Sequence, residues 1–403
     1  MNFGNLLKNR WAFIAVLIIV ILGVGVRVVD YNWPYLRNID SYTFYRWMDE
    51  IQLNGGTLPL YDNLIVSPHG EYRGIQIFPY QHLGAYSYMF VRLFFADMQL
   101  WQWLIWFTPI IASLSAIPMY YIGKILYDRK AGVLAAFFIV FEVSNISRSL
   151  GGDPDSDAIV IFFPLVVMAA FLYTYKYVEK TKKFTPKLFA YSAVVGALIG
   201  LWSHIWGGRW YVVWLMTGFL ILKLIADAIK MRSVRRIIHQ YKYVVTSYAL
   251  FFVFLALTIV PFWGISILTS GITGPIDFQS IKSEEGIQFP NVYVSVAELQ
   301  GTGDPKEVIL RTCQVCGNTP YLMLLSPFFL MVYALIYLLY SYFKTKMHMD
   351  TVLLLIIWFV GPFLATILAV RFSILFSAPM AIGSGIILSK ILNMLLYKEE
   401  FEK

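Results

Sequence analysis

Two cysteines, Cys313 and Cys316, stand in a chain of 403 residues. That excludes a disulfide framework: the pair forms one external bridge or stays as two free thiols. Nor does "CQVC" alone make a zinc centre, which normally takes four ligands. Histidine is scarce too, with five in all. Charge is thin: Asp, Glu, Lys and Arg make up 14% of the chain, where soluble domains carry about a quarter. A soluble globular fold is therefore excluded. The net charge of +8 is spread over short connections between apolar runs, so it is no footprint of nucleic acid. No internal repeat and no low-complexity tract is present.

What the chain has is apolar surface, 59% hydrophobic and 17% aromatic. Apolar runs of about 18 residues or more recur along it, each long enough for a hydrocarbon core of roughly 30 Å. They predict an all-α, polytopic membrane bundle of ten helices over 11–29, 102–123, 131–147, 158–175, 188–204, 208–229, 243–268, 320–343, 350–369 and 371–393. The first run, "WAFIAVLIIVILGVGVRVV", is long and has no small-x-small cleavage site after it. It reads as an uncleaved helix rather than a signal peptide. The many Trp and Tyr residues fit interfacial belts and lipid-facing rings.

About two-thirds of the 32 Lys and Arg residues fall in the N-terminus, 124–130, 176–187, 223–242, 344–349 and the C-terminus. That set is expected in the cytoplasm, in a multi-pass protein of the cell membrane. Acidic residues lean the other way. Outside together lie a long first loop (30–101), "SRSLGGDPDSD", the turn "HIWGGRW" and a long second loop (269–319). Loops this long are commonly functional. The first half of the second loop is rich in Gly, Ser, Thr and Pro and reads as a mobile lid.

Four features therefore share one face. They are Asp40 in "NIDSYTFYRWMDE", the Asp153–Asp155–Asp157 cluster at a helix start, Glu298 in "NVYVSVAELQ", and Arg371 in "RFSILFSAP". Carboxylates gathered from distant stretches repel one another, and a hard divalent cation such as Mn²⁺ or Mg²⁺ would hold them. For Asp155 the metal reading is the better one, while others have a blander reading. Asp157 is equally a helix cap, Asp153 before Pro154 a turn residue, and Arg371 an interfacial anchor with a snorkelling stem. His69 in "SPHGEYRG" reads as a loop residue or a phosphate contact. Asn145-Ile146-Ser147 matches a glycosylation acceptor by chance, against the membrane.

At these residues the sequence resembles the catalytic subunit of oligosaccharyltransferase, in its archaeal form. "NIDSYTFYRW" resembles that family's first-loop acidic motif, and "SRSLGGDPDSDAIVIFFPL" its Asp-x-Asp loop and following helix. "NVYVSVAELQ" resembles the archaeal Ser-Val-x-Glu signature, and "RFSILFSAPMAI" the late Arg-Phe helix. "IWGGRWYV" is similar to the family's Trp-Gly-Gly turn. The order and spacing cover nearly the whole chain. The resemblance implies a C-type glycosyltransferase fold, with 1–403 as its transmembrane catalytic domain.

It further implies inverting transfer of an oligosaccharide from a dolichyl phosphate or pyrophosphate carrier. The acceptor is the side-chain amide of Asn in an Asn-x-Ser/Thr polypeptide. Asp40, Asp155 and Glu298 would hold the metal and orient the amide, with Asp157 as a further ligand. Arg371, Arg148 and His69 would meet the donor phosphate. The family's external domain carries a Trp-Trp-Asp-Tyr-Gly motif that is absent from this sequence, so that domain is expected to be missing from this chain. The alternatives are another glycosyltransferase using a lipid phosphate sugar, a non-catalytic scaffold subunit, and a transporter. The last is disfavoured because most acids lie in external loops.

Overall fold

The computed structural model describes residues 3–65, 67–73, 78–269, 271, 273, 301, 304–313 and 319–401. Among them the fold is a polytopic helix bundle with one two-stranded ribbon. Helix α1 (Phe3–Val28) leads into a folded first loop. That loop holds α2 (Ile39–Leu53), the antiparallel strands β1 (Tyr61–Asp62) and β2 (Glu71–Tyr72), and α3 (Pro79–Arg92). Then come α4 (Leu100–Ser113), α5 (Ala116–Leu126), α6 (Arg129–Phe141) and α7 (Val143–Ser147). Next are α8 (Asp157–Thr181), α9 (Pro186–Ser203), α10 (Trp210–Met231) and α11 (Val234–Trp263). The short α12 (Pro305–Arg311) and α13 (Pro320–Met323) precede α14 (Pro327–Thr345), α15 (Met349–Leu368) and α16 (Ser373–Phe401).

Among the described residues nine helices are long and apolar enough to cross a membrane, with α4 and α5 forming one bent crossing over Leu100–Leu126. The tenth expected helix, 131–147, is broken. Glu142 is extended (φ −67°, ψ 135°), and its carboxylate accepts from the Asn145 amide at 3.0 Å, so it ends α6 and caps α7. Together the two pieces still traverse the bundle. Asp128, before α6, accepts from Ser389 at 2.9 Å and from Asn393 at 3.2 Å. At the other end Ser377 donates to the Asn145 side chain at 3.3 Å. Helix α16 therefore runs antiparallel to α6–α7 between the same two faces.

Small residues let these helices approach closely. A Cβ added at Gly132 of α6 would come within 2.5 Å of the Tyr120 carbonyl on α5. Other crossings start at caps that the sequence supplies. Thr185 accepts from Leu188 N ahead of α9, Ser326 from Phe329 N ahead of α14, and each helix has Pro in its first turn. Helices α8, α10 and α14 end on Lys182, Arg232 and Lys346 in the left-handed region, with φ of 46°, 49° and 59°. Each has a lysine in its last turn, matching the negative end of the helix dipole.

Near those ends Asp350 of α15 pairs with Lys223 of α10 at 2.9 Å and with Lys176 of α8, and Asp227 accepts from Tyr241 at 2.8 Å. At the opposite face Val308 of α12 is buried beside Phe328, Phe376 and Met380, which anchors the end of the second loop on α14 and α16. Cys313 follows α12 and is disulfide-bonded, one of the two outcomes open to it. Residues 274–300, the expected lid with Glu298, lie outside the described residues.

Candidate active site

The first loop is held by a charge knot that local periodicity does not announce. Asp62 of β1 is buried. It accepts from both terminal nitrogens of Arg46 on α2, at 2.8 and 2.7 Å, and from the Leu64 amide at 2.9 Å. Arg73, beside β2, donates to Asp62 and, at 2.8 Å, to Glu50 of α2. The two guanidiniums hold the Asp62 carboxyl below its ordinary range, the hydrogen bonds from Arg46 contributing most. The knot fixes α2 against the ribbon and so fixes the orientation of the helix that carries Asp40.

Helix α2 meets the acidic loop at its N-terminal end. Ser41, fully buried, donates to Asp153 Oδ1 at 2.7 Å. Arg37 donates its backbone amide to Gly152 O at 2.8 Å and its Nε to Gly151 O at 3.0 Å. Gly152 has φ +77°, which glycine adopts at no steric cost. A Cβ there would also strike the Tyr31 ring. Behind the loop stands Arg27, buried near the end of α1. It donates to Ser149 Oγ at 2.7 Å, Val140 O at 2.8 Å and Gly23 O at 3.0 Å, and its own carbonyl accepts from Gly151 N at 2.9 Å. Tyr80 of α3 donates to Asp155 O at 2.7 Å. Burial and the three nearby aspartates keep its phenol protonated.

The three acids of the loop end in different settings. Asp153 and Asp155 are half-buried, and burial raises the affinity of both for a proton. Asp155 accepts from the amide and hydroxyl of Ser156, lies within the field of Arg371, and is opposed by Asp40. Asp157 is buried and pairs with Arg148 at 3.4 Å and Arg371 at 3.5 Å. It is the first residue of α8 rather than its cap: Ser156 occupies that position and makes no side-chain capping bond.

Asp40, Asp155, Asp157, Arg148 and Arg371 thus share one end of the bundle. His69 stands exposed in the β1–β2 turn, where its carbonyl accepts from Tyr61. Its ring enters no hydrogen bond of this cluster among the described residues. Ser41, Arg37, Tyr80 and Arg27 emerge only from the structure. Arg27 had a sequence signal, a lone cation inside an apolar run. Tyr80 had none.

Among the described residues no three His, Cys, Asp or Glu side chains stand close enough to hold a metal. Asp40, whose charge opposes that of Asp155, forms with it a pair of hard oxygen donors. Their mutual opposition is the kind that a cation relieves, so the residues present fit a divalent ion.

The chain is 26% identical over 281 residues to a dolichyl-phosphooligosaccharide-protein glycotransferase of Methanocaldococcus jannaschii, covering 66% of this chain and 29% of that protein. To the protein of the same description from Methanococcus voltae it is 22% identical over 402 residues, covering 89% and 41%. The chain thus spans less than half the length of either relative.

Among solved structures, the Archaeoglobus fulgidus oligosaccharyltransferase in complex with zinc and sulfate superposes with a TM-score of 0.68 at 20% identity. That match covers 96% of this chain and 50% of the other. The Archaeoglobus fulgidus enzyme AglB, in complex with an inhibitory peptide and a dolichol-phosphate, gives 0.65 at 17% identity, covering 98% and 52%. Both likenesses concern the fold. The family described as oligosaccharyl transferase STT3, N-terminal, matches residues 12–400, and the chain belongs to that family.

Proposed function

We propose that this chain transfers an oligosaccharide from a dolichyl phosphate or pyrophosphate carrier to the side-chain amide of Asn in Asn-x-Ser/Thr sequences, with inversion at the sugar. The observation that carries this reading is the convergence of the loop before α8 with Arg148 and with Arg371 of the turn before α16, both paired with Asp157. Asp40 of the first loop adds a negative charge that opposes that of Asp155. Family membership and the dolichol-phosphate and peptide complexes of the Archaeoglobus protein support it. The distribution of basic residues supports a position for this end of the bundle outside the cell membrane.

An amide nitrogen is a poor nucleophile because its lone pair is delocalised into the carbonyl. Carboxylates of Asp40 and Asp155 that accept from the NH₂ group favour rotation out of conjugation. Ser41 and Tyr80 keep the acidic loop in place for this, through Asp153 and through the Asp155 carbonyl. Arg371 and Arg148, both held by Asp157, present positive charge to the departing phosphate, a preorganised electrostatic contribution. A lipid phosphate so stabilised leaves without a general acid, in keeping with a chain that has five histidines in all. Asp40 and Asp155, with Glu298 from the second loop, would hold Mn²⁺ or Mg²⁺, which when bound neutralises their repulsion and fixes their orientation.

The test is transfer by the purified full chain, supplied with a dolichyl-linked oligosaccharide, an Asn-x-Thr peptide and Mn²⁺. Glycopeptide is expected, with loss of about a hundredfold or more in D40A and D155A. Chelation should abolish it and Mn²⁺ restore it. Undiminished transfer by either variant would overturn the assignment. Absence of product from the wild-type chain would favour a scaffold role. Transfer to a lipid or hydroxyl acceptor alone would favour the other glycosyltransferase reading.

A further inference from the structure

The face of the bundle opposite the acidic loop carries two groups of cations that are treated differently. In the first, Lys176 and Lys223 lie among Asp350, Asp227 and Glu179, each within 3.4 Å of a carboxylate oxygen. In the second, Lys182, Arg235, Arg236, His239 and Lys242 line a groove of about 990 Å³. No carboxylate among the described residues lines this groove. Among the described residues none of its Lys or Arg side chains pairs with an acid; Lys242 lies over the Tyr243 ring at 4.9 Å. Lys182 follows α8, whose 25 residues separate this groove from Asp157 by about 37 Å at 1.5 Å per residue.

An excess of positive charge on one face needs only scattered lysines. Here the charge lines a concavity and borders apolar surface. Ile238 lines the same groove and is 63% exposed, and Ile229 on α10 and Val245 on α11 are 71% and 59% exposed. The apolar crossing within α11 begins at Arg235, which sets the groove at headgroup depth. We propose that this groove binds the phosphate headgroup of an anionic membrane lipid. The guanidiniums of Arg235 and Arg236 and the ammonium of Lys242 meet the phosphate, and the acyl chains lie along Ile238 and Val245. Charge complementarity selects the occupant: basic pockets beside membrane helices favour acidic lipids, and the adjoining apolar surface has no use for a free ion. The site is separate from the proposed transfer chemistry and stands whether or not the chain proves to be a transferase.

The experiment uses the full chain in a neutral detergent, with lipid binding read by native mass spectrometry. Short-chain phosphatidylglycerol should bind saturably and phosphatidylcholine of the same chain length should not. The pair R235Q/R236Q should weaken phosphatidylglycerol binding by about tenfold or more, while K124Q/K344Q, on the same face outside the groove, leaves it unchanged. Should R235Q/R236Q fail to melt cooperatively, K182Q on the neighbouring helix repeats the test. Equal binding by the groove variants, equal loss in the control pair, or displacement of the lipid by inorganic phosphate would each overturn the proposal.

Discussion

Asp62→Asn probes the connection between the first loop and the acidic site. The substitution keeps the shape of the side chain, removes its charge, and turns an NH₂ group toward two guanidiniums. Breaking a buried ion pair by removing one partner costs about 3–5 kcal/mol. Two features place this case at the lower end. Arg46 is 25% exposed and keeps Glu50 at 2.8 Å, so it falls back on water and one carboxylate. Arg73 is 4% exposed but keeps Glu50 at 2.8 Å.

A loss of about 3 kcal/mol raises the local opening of the loop roughly a hundredfold at about 1.4 kcal/mol per decade. Hydrogen exchange should show it in 39–53 and 61–73, with α8 unchanged. The pH dependence follows from the sign of the shift. The folded-state pKa of Asp62 is depressed, so its contribution is complete above the unfolded value of about 4 and is lost as pH falls below it. The difference between wild type and D62N should be flat from about pH 5 to 8 and shrink in acid. Exchange within threefold of wild type at pH 7 would refute the view that this knot holds α2.

Ser41→Ala removes the 2.7 Å bond to Asp153. Bonds to charged groups contribute about 1.5–3 kcal/mol, so single-turnover transfer should fall by about 10- to 100-fold with donor affinity unchanged. Arg371→Gln should weaken binding of the dolichyl-linked donor by about tenfold, read by donor titration at saturating peptide. Asp350→Ala leaves Lys176 and Lys223 short of an acid partner and should lower the thermal midpoint in detergent. Lys176 keeps Glu179 and Lys223 keeps Asp227, so the corresponding loss is about 1–3 kcal/mol. Asp128→Ala removes the 2.7 Å cap on Ala131 N and the acceptor for Ser389 and Asn393, and about 1–2 kcal/mol of stability should go with the cap alone.

Long apolar runs are the strongest signal a membrane chain carries, and the crossings α9, α10 and α15 fall within two residues of the expected spans, while α8 runs six residues past its expected end. The break in 131–147 was written there as Glu142, a carboxylate inside an apolar run, but hydropathy averages over it. The first loop was harder. Its helices have mixed faces, and its strands are two residues each. What orders it is pairing between Arg46, Glu50, Asp62 and Arg73, with partners up to 23 positions apart. No local pattern specifies such pairing. Motifs marked Asp40, Asp155 and Arg371 because chemistry restricts residue type at those points. They left Ser41 and Tyr80 unmarked, because a positioning hydroxyl looks like any other.

The three acids of "DPDSD" also divide their work in a way that spacing alone does not reveal. Asp153 is committed to Ser41 and so to the first loop. Asp157 is committed to Arg148 and Arg371 and so to two cations from separate parts of the fold. Arg27 and Arg37 hold the backbone just before Asp153, at Gly151 and Gly152, and Tyr80 holds the Asp155 carbonyl between the two committed acids. The loop therefore does not need the Asp155 carboxylate to keep its shape. Asp155, between the two committed acids, feels the charges of Arg371 and Asp40 while its carbonyl is already held by Tyr80. A side chain whose own bonds reach no farther than the adjoining Ser156 can meet a cation or an amide with little reorganisation, and for that reason D155A should cost far more in transfer than in stability, whereas S41A should cost in both.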